Sequence, residues 1–76
     1  MDMSTQRKVK LHVVYMVDCN MVRTPVSVCL SEETAQDERI FLSTHFNRIT
    51  FVVDECYVDD PVKLMNEAIV NLNSLL

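Results

Sequence analysis

The clearest pattern in the chain is an alternation of apolar and polar positions between residues 8 and 17. One side of this stretch is entirely apolar or aromatic, with Val9, Leu11, Val13, Tyr15 and Val17. The other side begins polar and ends apolar, at Val14 and Met16. A period of two predicts a β-strand. Because its second half is apolar on both sides, we expect a central strand whose second face is also covered.

A second strand is predicted over residues 26–30. Pro25 precedes it, and because proline has no N–H to donate, we expect this strand at the edge of the sheet. The chain contains no glycine, which disfavours a tight two-residue turn, although Asn20 can supply one positive φ. Residues 18–24 therefore predict a wider loop that displays Met21, Val22 and Arg23.

Residues 31–46 fit two interpretations. In the first, Ser31 caps a helix, and Glu32 and Glu33 lie in its first turn, where the helix dipole favours anions. One face of this helix carries Ala35, Leu42 and Phe46, and Asn47 takes the left-handed position after its end. Ile40 and Phe41 point away from that face.

In the second interpretation the same residues form a strand. Ile40, Leu42, Thr44 and Phe46 make up one side of it, and the chain turns at residues 47–48 into the next strand. We favour the helix because the capping residues agree with it.

The last third of the chain predicts a strand and then a helix. Residues 49–53 are β-branched or aromatic at most positions, which is typical of a strand. Residues 54–59 form a connection, Asp60 is an N-cap and Pro61 is the first helical residue. Apolar residues then recur at helical spacing: Leu64 or Met65, Ala68, Ile69, Leu72, and Leu75 or Leu76.

These elements predict one α+β domain over residues 1–76, with residues 1–6 frayed. Their order is β-β-α-β-α, and the sheet is a small antiparallel one with strand order 2-1-3 and two helices on one face. The alternative is a four-stranded antiparallel meander followed by the C-terminal helix. If both helices cover one face, the other must meet water or another molecule, and we expect a homodimer formed through Val14 and Met16.

Composition places the chain among folded intracellular proteins. Apolar residues make up 49% and charged residues 24% of its 76 residues, which is typical of a globular domain. Its longest apolar run, residues 13–17, is far shorter than the roughly 20 residues of a membrane helix. Three cysteines, an odd number without a C-x-x-C pair, indicate reduced thiols and a cytoplasmic location without membrane attachment.

Charge is unevenly distributed along the chain. The formal net charge is −4, and most of the acids lie in two short stretches. The first contains Glu32, Glu33, Asp37 and Glu38, and the second contains Asp54, Glu55, Asp59 and Asp60. Such clusters attract a partner with a basic surface and repel nucleic-acid phosphates.

The sequence predicts no catalytic, cofactor-binding or metal-binding residues, and so no enzyme. Loops that hold phosphate need glycine where the backbone approaches the ligand, and the chain has none. Its thiols and imidazoles lack the short spacings of zinc ligands. A cysteine–histidine pair that meets in space stays open, because Cys19, Cys29, Cys56, His12 and His45 supply the residue types.

Two functions remain. The first is a small acidic binding module that inhibits or adapts another macromolecule by protein–protein contact, through Glu32, Glu33, Asp37 and Glu38 and through the loop of Met21, Val22 and Arg23. Compact acidic inhibitors are common among phage and mobile-element products, which is an analogy of size and composition. The alternative is a nucleic-acid-binding regulator with a basic stripe of Arg7, Lys8, Lys10, Arg48 and Arg23, which the net negative charge disfavours.

Overall fold

The computed structural model describes residues 8–76. Five elements follow one another: β1 (Val9–Val17), β2 (Arg23–Cys29), α1 (Glu32–His45), β3 (Thr50–Val58) and α2 (Pro61–Leu75). This order confirms the predicted β-β-α-β-α arrangement. The alternative meander is wrong, because residues 32–45 are helical. The prediction that residues 1–6 are frayed lies outside the described residues.

The three strands form one antiparallel sheet in the order β2-β1-β3, as predicted. β1 is the central strand, so its backbone bonds to a neighbour on each side. Val14, for example, lies opposite Ser27 of β2 and Val53 of β3. Residues that face each other across an antiparallel pair point to the same side of the sheet, so this register fixes which side chains share a face.

β2 begins earlier than predicted, at Arg23, and includes Pro25. The register shifts between Val14 and Tyr15, where Ser27 pairs with Val14 but Pro25 pairs with Tyr15. β2 therefore has one extra residue, Val26, without a partner residue on β1. This irregularity is a β-bulge. Proline is tolerated at this position because β2 is an edge strand. The carbonyl oxygen of Pro25 accepts a hydrogen bond from Nδ2 of Asn71 in α2 at 2.9 Å.

The β1–β2 connection is organised by the side chain of Asp18. Its Oδ1 accepts hydrogen bonds from the backbone N–H groups of Asn20 at 2.8 Å and Val22 at 2.9 Å. Met21, with φ 66°, is the residue with positive φ here. Asn20, which can adopt this conformation, does not do so here, because the Asp18 turn places the bend one residue later.

Ser31 caps α1 as predicted, because its side-chain oxygen accepts a hydrogen bond from the Thr34 N–H at 3.2 Å. The helix end differs from the prediction. Phe46 is the C-cap, with φ −124°, and its N–H donates to the Leu42 carbonyl. Asn47 has no positive φ, so the expected left-handed cap at Asn47 is wrong.

β3 is longer than predicted. The strand was expected to end at residue 53, but residues 54–58 remain paired with β1 as far as Val9. The acids that suggested a loop are accommodated because β3 is an edge strand whose side chains are half exposed. Glu55, for example, bonds to Lys10 of β1 at 3.3 Å.

α2 begins as the sequence predicts. The carboxylate of Asp60 accepts a hydrogen bond from the Lys63 N–H at 3.2 Å, and Pro61 occupies the first turn. Neither helix within residues 8–76 has the length and apolarity to cross a membrane. Both helices contribute to one core, in which Ala35 and Leu42 of α1 and, less deeply buried, Leu72 and Leu75 of α2 take part.

The centre of β1 is buried on both faces. Val14 is 0% exposed, within the same cluster as Ala35 and Leu42 of α1, and Met16 packs against that cluster. On the opposite face, Leu11 is 1% and Val13 is 0% exposed. The expectation of an open sheet face is therefore wrong, and Val14 and Met16 do not form a dimer surface, because α1 covers them.

The placement of α1 can be tested with two substitutions on the same helix. Leu42→Ala will lower the free energy of unfolding by about 2–5 kcal/mol, because it leaves a cavity in the core. Ile40→Ala removes a side chain that is 53% exposed and will change stability by about 0.5 kcal/mol or less. Urea unfolding followed by circular dichroism measures both, and equal losses would contradict the described packing.

Candidate interaction surface

The acidic start of α1 is split between solvent and core. Glu32, Glu33 and Asp37 are exposed, and none of them forms an ion pair with another residue of the described chain. Glu38 instead turns inward, is partly buried and accepts a hydrogen bond from Ser27 Oγ at 3.4 Å. Three of the four predicted acids are therefore fully exposed, and Glu38 is partly buried.

The exposed side of α1 also carries apolar residues. Glu33, Asp37, Ile40 and Thr44 follow one another at spacings of four, three and four, so they lie on one side of the helix. Ile40 is 53% and the neighbouring Phe41 is 55% exposed. We call Glu33, Asp37, Ile40 and Phe41 the α1 outer face. It combines carboxylates with large apolar side chains that the domain does not cover.

Phe41 is held in place although it is exposed. Its ring lies against the imidazole of His45, with 4.2 Å between ring centroids. Nδ1 of His45 is also 3.3 Å from the Phe41 carbonyl oxygen. These contacts restrict Phe41, so less conformational entropy would be lost if another molecule covered it.

The predicted loop residues lie far from the start of α1. The loop joins β1 to β2 at the first residue of β2, whereas α1 follows the last residue of β2. Seven strand residues span about 23 Å. Met21 is 78% and Val22 is 54% exposed, but Arg23 is engaged within the domain. Its Nη1 is 3.0 Å from Oδ2 of Asp54, and its guanidinium lies 5.6 Å from the Tyr15 ring centroid.

The second acidic stretch is largely occupied by contacts within the domain. Asp54 pairs with Arg23, Glu55 pairs with Lys10, and Asp60 caps α2. The bond from Arg23 and the N–H of Glu55 lower the pKa of Asp54. Among the acids of the two stretches, Glu32, Glu33, Asp37 and Asp59 are exposed and have no ion pair among the described residues.

The proposed basic stripe is not continuous in the described residues. Lys10 lies opposite Tyr57 near one end of the sheet, while Arg23 lies opposite Val17 at the other end. Lys10 and Arg23 are both paired with carboxylates. Arg48 precedes β3, again at the far end from Lys8 and Lys10, and Arg7 lies outside the described residues.

One cysteine and one histidine do meet in the sheet. His12 lies directly opposite Cys29, so their side chains share a face. Burial raises the pKa of Cys29, and the negative charge of Glu38 raises it further. The hydrogen bond with Ser27 acts in the opposite direction. The raised pKa of Cys29 is opposite in direction to the lowered pKa of an activated nucleophilic thiol.

The remaining thiols stand apart from any metal-binding arrangement in residues 8–76, where no three ligand-type side chains cluster. Cys56 lies near Tyr15, and burial raises the pKa of Tyr15, to which Cys56 and Asp54 add. Cys19 is exposed in the β1–β2 loop. It is therefore the thiol most accessible to reagents.

Sequence reasoning missed Ile40 and Phe41 as functional candidates. The sequence does indicate them, since both fall off the helix face that carries Ala35 and Leu42. That indication depends on residues 31–46 being a helix. If they formed a strand, Ile40 would lie on the same side as Leu42.

The chain matches no protein-family model, and no curated protein and no solved structure matches it.

The Arg23–Asp54 pair predicts a measurable titration. Because the folded-state pKa of Asp54 is lowered, the pair stabilises the fold at neutral pH. That contribution is lost as the pH falls from the ordinary aspartate value through the lowered one. Arg23→Gln will raise the pKa of Asp54, as measured by carboxyl NMR, whereas Lys63→Gln on α2 will leave it unchanged. An unchanged Asp54 pKa in Arg23→Gln would contradict the pairing.

Burial predicts the order in which the thiols react. Under native conditions near neutral pH, iodoacetamide will modify Cys19 first and Cys29 last, because Cys29 is 8% exposed and its pKa is raised. Peptide mass spectrometry over time gives the order, and Cys19→Ser will remove the fast phase. In urea the three rates will converge; early native labelling of Cys29 would contradict its placement.

Proposed function

We propose that this chain is a small acidic cytoplasmic binding module that inhibits or adapts another protein by direct contact. The α1 outer face is the surface that makes this contact, and the partner presents a basic surface around an apolar centre. The inhibitory or adapting role follows from its small size and from a surface built for contact, as in the compact acidic inhibitors of phages and mobile elements.

The observation that carries the proposal is the combination of residues on α1. Ile40 and Phe41 are more than half exposed, and exposed aromatic and aliphatic side chains supply much of the free energy of protein association when a partner buries them. Glu33 and Asp37 lie on the same side of the helix. Their charges attract a basic partner over distance and raise the association rate.

The same charges argue against a second copy at this face. Two copies that met through the α1 outer face would bring like carboxylates together, which opposes association. A partner with lysine or arginine around an apolar patch satisfies both parts of the surface.

The β1–β2 loop is a separate contact in this proposal. Met21 and Val22 are exposed, and a flexible methionine adapts to irregular surfaces. Because the loop lies near the opposite end of β2 from the start of α1, its contribution can be measured independently.

Affinity purification with variant chains tests the proposal. Tagged wild-type chain, incubated with a lysate of the organism that encodes it, is expected to retain a stoichiometric protein that mass spectrometry identifies. Glu33→Lys/Asp37→Lys and Ile40→Ser/Phe41→Ser will each weaken binding of that purified protein by at least about tenfold. Added salt will weaken wild-type binding more than binding of the charge-reversed chain.

The matched control is Asp59→Lys/Glu67→Lys, which makes the same charge change near the start of α2. It will leave binding within about threefold. The variant Met21→Ser/Val22→Ser measures how much the β1–β2 loop contributes to the affinity for the partner. If the α1 variants bind as tightly as wild type, the α1 outer face is not the contact surface; if the wild type retains no protein, the binding role is wrong.

A further inference from the structure

α2 carries a second apolar stripe in addition to the one that packs into the core. Val62, Met65, Ile69 and Leu72, together with Leu76 directly after the helix, follow one another at spacings of three, four, three and four. We call these residues the α2 seam. Alternating spacings of three and four are the heptad pattern by which two helices pack along each other.

Most of the α2 seam is uncovered. Val62 is 62%, Met65 is 45%, Ile69 is 54% and Leu76 is 84% exposed. The face of α2 that the domain does bury lies beside this seam and is centred on Ala68, with Leu64 and Leu75 partly buried. Leu72 is partly buried and packs against the core, so it joins the two stripes.

The side of α2 that bears the seam has no charged residue. Two asparagines lie on the same side of the helix as the seam: Asn66 is four residues after Val62, and Asn73 is four residues after Ile69. The charged residues of the helix, Lys63 and Glu67, lie on another side. This face therefore differs from the acidic α1 outer face in chemistry as well as in position.

We propose that two copies of this chain associate through the α2 seam. The net charge of −4 makes two copies repel each other overall, and a charge-free face lets them meet without bringing carboxylates together. A basic or acidic partner would leave its charges unpaired here. A second copy supplies the same 3-4 spacing, and an interface between identical surfaces must be self-complementary.

The residue types also fit a pair of helices. Val62, Ile69 and Leu76 are seven residues apart and occupy the first apolar position of the heptad. Met65 and Leu72 are also seven residues apart and occupy the second. β-Branched residues at the first position with leucine at the second favour two-stranded packing. Beside the seam, Met65 and Ile69 line a groove of about 200 Å³ with Val26 and Val28 of β2, which enlarges the apolar surface available to the second copy.

The length of the seam sets the expected affinity. A helix of 15 residues is about 22 Å long, or roughly two heptads, whereas an independent coiled coil needs about three or four. We therefore expect a dimer with a micromolar dissociation constant, formed by domains that are already folded.

Analytical ultracentrifugation over a concentration series tests the proposal. Wild-type chain will change from monomer to dimer at micromolar concentrations. Ile69→Lys will raise the dissociation constant by at least about thirtyfold, because each dimer contains the substitution twice. Val70→Lys is the matched control: Val70 is 64% exposed and lies off the seam, so the control will dimerise like wild type.

Circular dichroism will show that both variants keep the helical content of wild type, since neither position is buried. A wild-type chain that stays monomeric at the highest concentrations, or equal effects of Ile69→Lys and Val70→Lys, would overturn the proposal. Ile69→Lys will leave binding through the α1 outer face unchanged, so the failure of one proposal is distinguishable from the failure of the other.

Discussion

β1 bonds to a strand on each side and buries side chains on both of its faces, and the other elements are arranged around this constraint. Val13 and Val14 are successive residues that point in opposite directions, yet both are 0% exposed. A central strand of this kind leaves β2 and β3 as edges, where proline and acids are tolerated. The centre of the sheet is therefore covered on both faces within the domain.

The helices differ in what they leave uncovered. α1 buries Ala35 and Leu42 and exposes carboxylates beside Ile40 and Phe41. α2 buries Ala68 and exposes a charge-free apolar stripe. In a chain of 76 residues the fraction of the surface buried on folding is smaller than in a large domain, so each helix keeps much of its circumference outside the core. Two chemically different surfaces thus arise from one small fold.

The parts of the fold that depend on local chemistry were predictable from the sequence. Ser31 and Asp60 begin their helices because each offers a side-chain oxygen to an unpaired N–H. The parts of the fold that depend on contacts between distant residues could not be predicted from the sequence. β3 extends through its acids because β1 pairs with them, and Val14 is buried because α1 crosses it. For the candidate surface, the acids and the off-face positions of Ile40 and Phe41 were visible in the sequence, but the partial burial of Glu38 beside Ser27 needed the packing.

The outer edge of β3 has a consequence for how copies can be arranged. Asp54 and Glu55 are adjacent and exposed, and they lie opposite Val13 and His12, so one carboxylate stands on each face of the sheet. If a second β3 aligned antiparallel beside the first around this point, acids would be crowded together on both faces. Extension of the sheet by pairing one β3 with another is thereby disfavoured.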